Sequence, residues 1–449
     1  MDFTKSQQSA LDLFDDFREA EDETVFALLG GPGTGKSFLT AHLIKDVRSG
    51  NAWIPPEVIV AAPTHKASGI ARRFLDANDL RWEQGYSASF HMPHRLVTGT
   101  TAALLGISPV IVNDQSEEMR FGRQEGQGIL SKFKPAWIFL DEVSMLPNPH
   151  FKNLVKICRQ AGTKLVVIGD PAQLPPVKAK PIPLHKARNF IELQENMRQG
   201  EDSRILDLAY AIRNDDAGWR KIHGEGIRKV HDLSGAFLDE VEDPLDLDEP
   251  DRVVGIAYRN VMVDALQDAA CRKVYKHGMG EFRPGELVVA ETNFYNGQTL
   301  LCANQDELIV ERIDEKVGPS DPGLPVQIRR AHRPGTFHAY YLAPDERRNP
   351  GSPFNVELNA RRKRALDLQA QFNAGDKSVD VARRAAWVQF FEWRDQTVVS
   401  FRHPFAFTSH KSQGSTVRKA FVHASDLLRY SKAGLYVAVT RPRVEVVLG

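Results

Sequence analysis

The chain reads as an α/β protein built on parallel sheets, in more than one domain. Three observations carry that reading. Short, largely apolar runs at 58–62, 136–140 and 164–168 alternate with helical stretches, and strands apolar on both faces belong to parallel sheets covered by helices on either side. A glycine-rich octapeptide at 30–37 joins one such run to a helix, the strand–loop–helix order of a parallel unit. The length, 449 residues, exceeds what one hydrophobic core supports.

The elements follow in order. Residues 24–29 form a short strand, 30–35 a glycine loop and 36–48 a helix. Strands follow at 58–62, 136–140 and 164–168. The stretch 91–135 breaks this rhythm, with a strand at 107–112 and a polar, turn-like segment at 113–119; it reads as a small inserted subdomain. Prolines 181 and 183 mark a boundary. A second αβ region begins with a strand at 253–257 and a helix over 261–273. Between 275 and 395 the pattern changes to β-type runs at 285–289 and 306–310 and a charged helical stretch at 355–394. Strands at 405–408, 420–423 and 444–448 then resume the αβ pattern, so the second core is expected to be split by a large insertion.

Composition narrows the class. Hydrophobic residues make up 42% and charged residues 26%, as in ordinary globular proteins. No apolar run approaches the roughly 20 residues of a membrane span, and the first residues lack the order of a signal peptide. A cytoplasmic protein without a membrane partner is expected. Lys+Arg equals Asp+Glu at 58 each, so net charge gives no argument for nucleic acid, and any such binding rests on a local groove. Cys158, Cys271 and Cys302 lie far apart in sequence and in no CxxC pattern. They are expected to be interior thiols, with no disulfide and no structural zinc.

The chemistry begins at Gly30-Gly31-Pro32-Gly33-Thr34-Gly35-Lys36-Ser37, which fits GxxxxGK[ST]. Glycines let backbone N–H groups converge on phosphate oxygens, and the following helix turns its positive end to them. Lys36 is placed to reach the β- and γ-phosphates and Ser37 to ligate Mg²⁺. Ile138-Phe139-Leu140-Asp141-Glu142 delivers two carboxylates at a strand's carboxyl end. Asp141 is the candidate for holding Mg²⁺, and Glu142 for deprotonating the attacking water. These two elements establish nucleotide hydrolysis with ATP and Mg²⁺ as expected ligands, but not its use.

The remaining motifs narrow the use. Gly169 to Val177 reads GDPAQLPPV, and resembles motif III of superfamily 1 helicases. Phe3 to Ala10 resembles the amino-terminal Q motif, Ala62 to Ser68 motif Ia, and Leu193 to Gln199 motif IV. Thr408 to Ser415 resembles motif V and Tyr436 to Arg443 motif VI. The motifs occur in family order from residue 3 to residue 443, and their compact spacing is most similar to the phage Dda helicases, relatives of RecD in superfamily 1B.

That resemblance implies two tandem RecA-like domains of the P-loop NTPase type. The first, 1A, spans 1–90 and 132–180, and the second, 2A, spans 181–274 and 396–449. Subdomain 1B at 91–131 carries a pin hairpin. Subdomain 2B at 275–395 is SH3-like with a helical hook. It further implies that Gln7 reads adenine and Gln173 senses the γ-phosphate. Arg198 and Arg441 are implied as arginines supplied by the second domain, and Gly414 as a close backbone approach to phosphate. An arginine finger contributes about 10³ to 10⁵ in rate, or roughly 4–7 kcal/mol of barrier.

For DNA, the resemblance implies contacts from Pro63, Thr64, His65, His94, Thr408, His410 and Ser415. His94-Arg95-Leu96 departs from the motif Ib pattern TxHRL in having Met92 where Thr is usual, and His91 competes for the role. Phe121 is the candidate wedge of the pin hairpin, or else its anchor to 1A. Phe90, Tyr258, Trp387 and Trp393 are possible stacking platforms or core residues. The basic run Arg361-Arg362-Lys363-Arg364 contacts phosphate or forms a solvated helix face. Expected partners are single-stranded DNA and strand junctions, with single-strand-binding or replisome proteins beside them. The expected activity is 5′-to-3′ unwinding by a monomer in phage-type replication, recombination or repair. The alternatives are a translocase that displaces bound proteins and a non-motor P-loop kinase.

Overall fold

In the computed structural model the described residues are 3–49, 56–84, 96–113, 116–121, 130, 135–176, 181–195, 203–214, 216–248, 251–297, 299–315, 318, 321–331, 335–343, 346–347 and 349–449. The chain divides into two compact units. One comprises Met1–Lys229, Ser412–Thr416 and Ala424–Leu448; the other comprises Val230–Lys411, Val417–His423 and Gly449.

The first unit is organised by a sheet of seven strands. They are β1 (Val25–Gly30), β2 (Val58–Ala62), β3 (Glu83–Gln84), β4 (Leu96–Thr100), β7 (Trp137–Leu140), β8 (Lys164–Gly169) and β9 (Asn189–Leu193), with β5 (Ile107–Asn113) and β6 (Ser116–Phe121) forming a separate hairpin. Their order across the sheet is β3-β4-β2-β7-β8-β1-β9, and every pairing is parallel. Successive residues of each central strand serve opposite faces. Ala27 and Leu29, Ile59 and Ala61, Ile138 and Leu140, and Leu165 and Val167 pack into one core. Phe26 and Leu28, Val58 and Val60, Trp137 and Phe139, and Val166 and Ile168 pack into the other. Burial on both sides is why these strands are apolar throughout.

Two features differ from the sequence reading. Strand β9 lies beyond prolines 181 and 183 yet pairs parallel to β1, so the first sheet continues past the expected boundary. The segment expected to be turn-like at 113–119 is largely strand, because β6 pairs antiparallel with β5. In that ladder Phe121 stands opposite Ile107, and Asn113 opposite Ser116. Phe121 therefore lies at the hairpin's root, far from the turn that a wedge would occupy.

Helix Lys5–Glu19 starts in a capping box. Thr4 accepts from the Gln7 backbone N–H, and the Gln7 side chain accepts from the Thr4 N–H. Ala10, Phe14 and Phe17 form its buried stripe, and Phe14 and Phe17 meet Phe26 and Trp137. Its carboxyl end is held by Lys164 at the start of β8, whose ammonium donates to the carbonyls of Phe17 at 3.0 Å, Glu23 at 2.9 Å and Ala20.

In the second unit, strands Val417–Val422, Val253–Ala257 and Ala406–Thr408 pair in parallel. A six-stranded, mainly antiparallel sheet encloses its own core of Val288, Leu308, Val310, Ile328, Tyr341 and Phe401 among others. Helices Pro353–Asn373 and Asp380–Gln396 pack on each other. Arg361 of the basic run donates to Glu357 at 2.7 Å and lies 4.7 Å over the Trp393 ring, so it serves the helix pair. Trp387 packs against Phe390 and Phe391. Cys158, Cys271 and Cys302 are buried free thiols. Among the described residues, no helix is long and apolar enough to cross a membrane.

Lys164→Met keeps the apolar stem but removes the charge-assisted bonds to three carbonyls. It is expected to lower stability by about 1–3 kcal/mol, read as an earlier denaturant midpoint for the first unit.

Candidate nucleotide site

Parallel strands place their carboxyl ends on one side of a sheet, and the loops leaving those ends gather there. The loop after β1 carries 30–37, that after β2 Pro63 to His65, that after β7 Asp141 and Glu142, and that after β8 Asp170 and Gln173. In the glycine loop, Gly33 and Gly35 hold φ of +83° and +80°. Those left-handed angles are cheap only for glycine. Thr34 Oγ1 ties the loop by donating to the Gly31 carbonyl at 2.9 Å. The Lys36 ammonium donates to the carbonyls of Gly30 at 2.7 Å and Gly31 at 2.8 Å, which holds a cation at the loop's mouth. Ser37 is exposed in the first turn of helix Lys36–Ser49.

Glu142 adopts φ +50° and ψ +39°, a left-handed conformation unusual for a side-chain-bearing residue and characteristic of functional loops. The Asp141 carboxylate accepts from the Glu142 N–H at 2.8 Å. Burial, followed by the neighbouring Asp141 charge, pushes the Glu142 carboxyl up; burial likewise raises Asp141 against the pull of Lys36. Two adjacent carboxylates, with the Ser37 hydroxyl of the glycine-loop motif, have the oxygen chemistry that fits Mg²⁺.

The last segments of the first unit complete this surface. Gln413 is buried, and its amide donates to Gln173 Oε1 at 2.8 Å and to Glu142 Oε2 at 3.4 Å. The Tyr436 hydroxyl donates to Asp170 Oδ2 at 2.8 Å, and a Cβ on Gly31 would stand 3.5 Å from that hydroxyl. Arg441 is 4% exposed and donates to the Val437 carbonyl at 2.9 Å and the Ser415 carbonyl at 3.3 Å. Its charge lowers the Glu142 carboxyl's pKa, opposing burial. Arg441 and Glu142 fall in the same compact unit.

Gln7 is buried, and its amide is engaged at both ends. Its oxygen accepts from Thr4, and its nitrogen donates to the Thr34 carbonyl at 3.3 Å. The helix cap and the P-loop contact are thus made by one side chain. Glu195, just past β9, accepts from the Ser6 N–H at 3.1 Å, from Thr4 Oγ1 at 3.2 Å and from the Ser6 hydroxyl. Gln413, Tyr436, Asp170 and Glu195 all lie inside quoted motifs but received no role from sequence. Their signal was the motif itself, since a polar side chain in such a segment needs a partner.

The candidate DNA residues are placed as follows. Thr64 caps helix His65–Ala77, accepting from the Ala67 N–H at 3.1 Å. His65 and Pro63 are half-buried beside it. Ser415 Oγ accepts from Lys66 Nζ at 2.7 Å. Gly414 holds φ +79°, and a Cβ there would meet Ile70 at 2.8 Å, so its close approach is to Ile70. Thr408 accepts from the Lys411 N–H at 3.3 Å, and His410 meets Tyr258 edge-on at 5.9 Å. Burial lowers the His410 pKa. Arg198, Phe90, His91 and His94 lie outside the described residues.

A glycine loop, paired carboxylates and a buried glutamine at the carboxyl edge of one parallel sheet define a P-loop nucleotide-binding α/β protein. Residues 16–179 match the family AAA_19, AAA domain. Over 229 residues the chain is 32% identical to RecBCD enzyme subunit RecD of Mycolicibacterium smegmatis, covering 48% of this chain and 38% of that protein. Over 294 residues it is 28% identical to the ATP-dependent RecD2 DNA helicase of Deinococcus radiodurans, covering 60% of this chain and 34% of that one. The chain thus spans little more than a third of the curated relatives it matches. The crystal structure of Pif1 helicase from Candida albicans aligns with TM-score 0.48 at 15% identity, over 100% of this chain and 95% of that one. Over these stretches the chain is similar to RecD-type proteins, and residues 16–179 to the AAA_19 family.

Glu142→Gln tests the electrostatics. A carboxyl whose folded pKa is raised destabilises the fold once pH passes its ordinary value of 4.5, and does so fully above about 7. The nucleotide-free variant is expected to melt at a higher temperature than wild type at pH 8, with the gain vanishing near pH 4.

Proposed function

We propose that this chain is an ATP-dependent DNA helicase of the Dda type, moving 5′ to 3′ on single-stranded DNA and acting as a monomer at strand junctions. One observation carries the reading most. Gln413 belongs to the segment that resembles a DNA-contacting motif, and its amide hydrogen-bonds both Gln173 and Glu142. A P-loop kinase has no need of that link, whereas a DNA-stimulated motor needs the strand-binding segment to touch the hydrolytic residues.

In this reading the loop at 30–37 holds the phosphates of ATP, with Lys36 neutralising the β- and γ-oxygens. Glu142 takes the proton of the attacking water, and its raised pKa makes it the stronger base. Gln173 registers the γ-phosphate and passes its position to Gln413. Arg441 and Arg198 stabilise the charge of the transferring group. Gln7 lies against the P-loop at Thr34 and holds the adenine side. Ser37 and Asp141 hold Mg²⁺, which supplies neutralisation of phosphate charge. Pro63, Thr64, His65, His94, Thr408, His410 and Ser415 form the track for the strand. The root position of Phe121 supports an anchoring role for it and leaves the wedge elsewhere in 1B.

Partial duplexes with a 5′ or a 3′ single-stranded tail test polarity. Unwinding of the 5′-tailed substrate alone is expected, and unwinding of only the 3′-tailed one would overturn the assignment. Arg441→Ala is expected to lower kcat for DNA-stimulated ATP hydrolysis by about 10³- to 10⁵-fold. Hydrolysis indifferent to single-stranded DNA would favour a non-motor enzyme.

A further inference from the structure

The second unit contains a buried polar cluster that nucleotide hydrolysis does not use. His277 Nε2 lies 2.7 Å from Glu286 Oε1, and His403 Nε2 lies 3.0 Å from Glu286 Oε2. The three side chains are 2%, 8% and 1% exposed for His277, Glu286 and His403. Their ligand atoms all fall within 4.8 Å of one another.

Hydrogen counting shows what the cluster lacks. His277 Nδ1 faces the Gly278 carbonyl oxygen at 3.1 Å, and a carbonyl only accepts, so this nitrogen carries the hydrogen. In neutral His277 the Nε2 is then a bare lone pair, pointed at a carboxylate oxygen. Two lone pairs approach that closely only with a cation between them, either a proton or a metal ion. The surroundings match a metal site. Ligating histidines characteristically direct their other ring nitrogen to a carbonyl or similar group, and ligating carboxylates are themselves hydrogen-bonded. Here His277 Nδ1 meets Gly278, His403 Nδ1 lies 3.3 Å from Cys271 Sγ, and Glu286 Oε2 accepts from the Arg283 N–H at 2.9 Å. Ligands of tetrahedral zinc stand about 3.4 Å apart for bonds near 2.1 Å, wider than the 2.7 and 3.0 Å contacts here, so the rings would draw back from the carboxylate to admit the ion. Tyr275 and Phe282 stack over the two rings and close the site to solvent.

We propose that His277 Nε2, His403 Nε2 and the Glu286 carboxylate bind one divalent transition metal ion of the zinc class. The ion would fasten together the two chain segments that lead into and out of the six-stranded sheet. His277 and Glu286 lie on the outgoing segment, between helix Asn260–Val274 and strand Leu287–Ala290; His403 lies on the return, between strands Phe401–Arg402 and Ala406–Thr408. Imidazole with carboxylate suits zinc better than magnesium, and enclosure suits a structural ion.

The test uses the full-length chain without a histidine tag, in excess Mg²⁺ to occupy the Asp141 site. Elemental analysis is expected to find about one zinc per chain. Chelation should lower the thermal midpoint by several degrees and added Zn²⁺ should restore it, since an ion that binds only the folded state stabilises it. Co²⁺ added to the stripped chain should give visible absorption bands of a nitrogen-ligated site, lost in His403→Ala. If that variant fails to fold, the wild-type measurements still decide. Wild-type protein with no zinc, no cobalt bands and an unmoved midpoint overturns the proposal and leaves a proton as the cluster's cation.

Discussion

Everything at the nucleotide site depends on one constraint: all seven strands of the first sheet run parallel. Parallel pairing sends every carboxyl end to the same edge, so each loop that follows a strand arrives within reach of the others. Lys36, the Asp141–Glu142 pair and the Asp170–Gln173 segment are far apart in the chain and reach the same edge for that reason alone. The same pairing forces helices onto both faces, and the double core of alternating side chains makes the edge rigid enough to hold Glu142 in a left-handed backbone conformation.

Upon this edge the chain folds its late segments. Gln413, Tyr436 and Arg441 add hydrogen bonds and charge to residues hundreds of positions earlier. Buried polar contacts of this kind are costly when one partner is missing, so they make the local arrangement specific as well as stable. Gln173 and Glu142 share a single amide donor, which links the group expected to register phosphate to the group expected to activate water. At the amino-terminal side, Glu195 gathers Thr4 and Ser6 while Gln7 reaches Thr34. The first helix is thereby fixed to the P-loop and to the segment after the adjoining edge strand β9.

The second unit follows different rules. Its antiparallel sheet has its own core, and its long helix pair is held by arginines lying over aromatic rings. The polar cluster at the root of that sheet joins segments more than a hundred residues apart. Helix Asn260–Val274 contributes to it through Gln267, which donates to the His403 carbonyl at 2.7 Å.

Sequence by itself determined the central strands of the first sheet, because burial on both faces demands apolar residues there, and it determined the phosphate loop, because the left-handed backbone angles at Gly33 and Gly35 are cheap only for glycine. Ordered motifs also marked Asp141, Glu142 and Gln173. Pairing between distant segments was not legible. Nothing local distinguishes β9 as an edge strand of the first sheet, or Phe121 as the root of a hairpin, since register depends on the partner strand. Nor could spacing along the chain show that His277, Glu286 and His403 converge, or that Gln413 meets Glu142. Those contacts are fixed by packing, where the position of each side chain is set by neighbours remote in sequence. Local chemistry named the groups, and tertiary structure alone decided which of them touch.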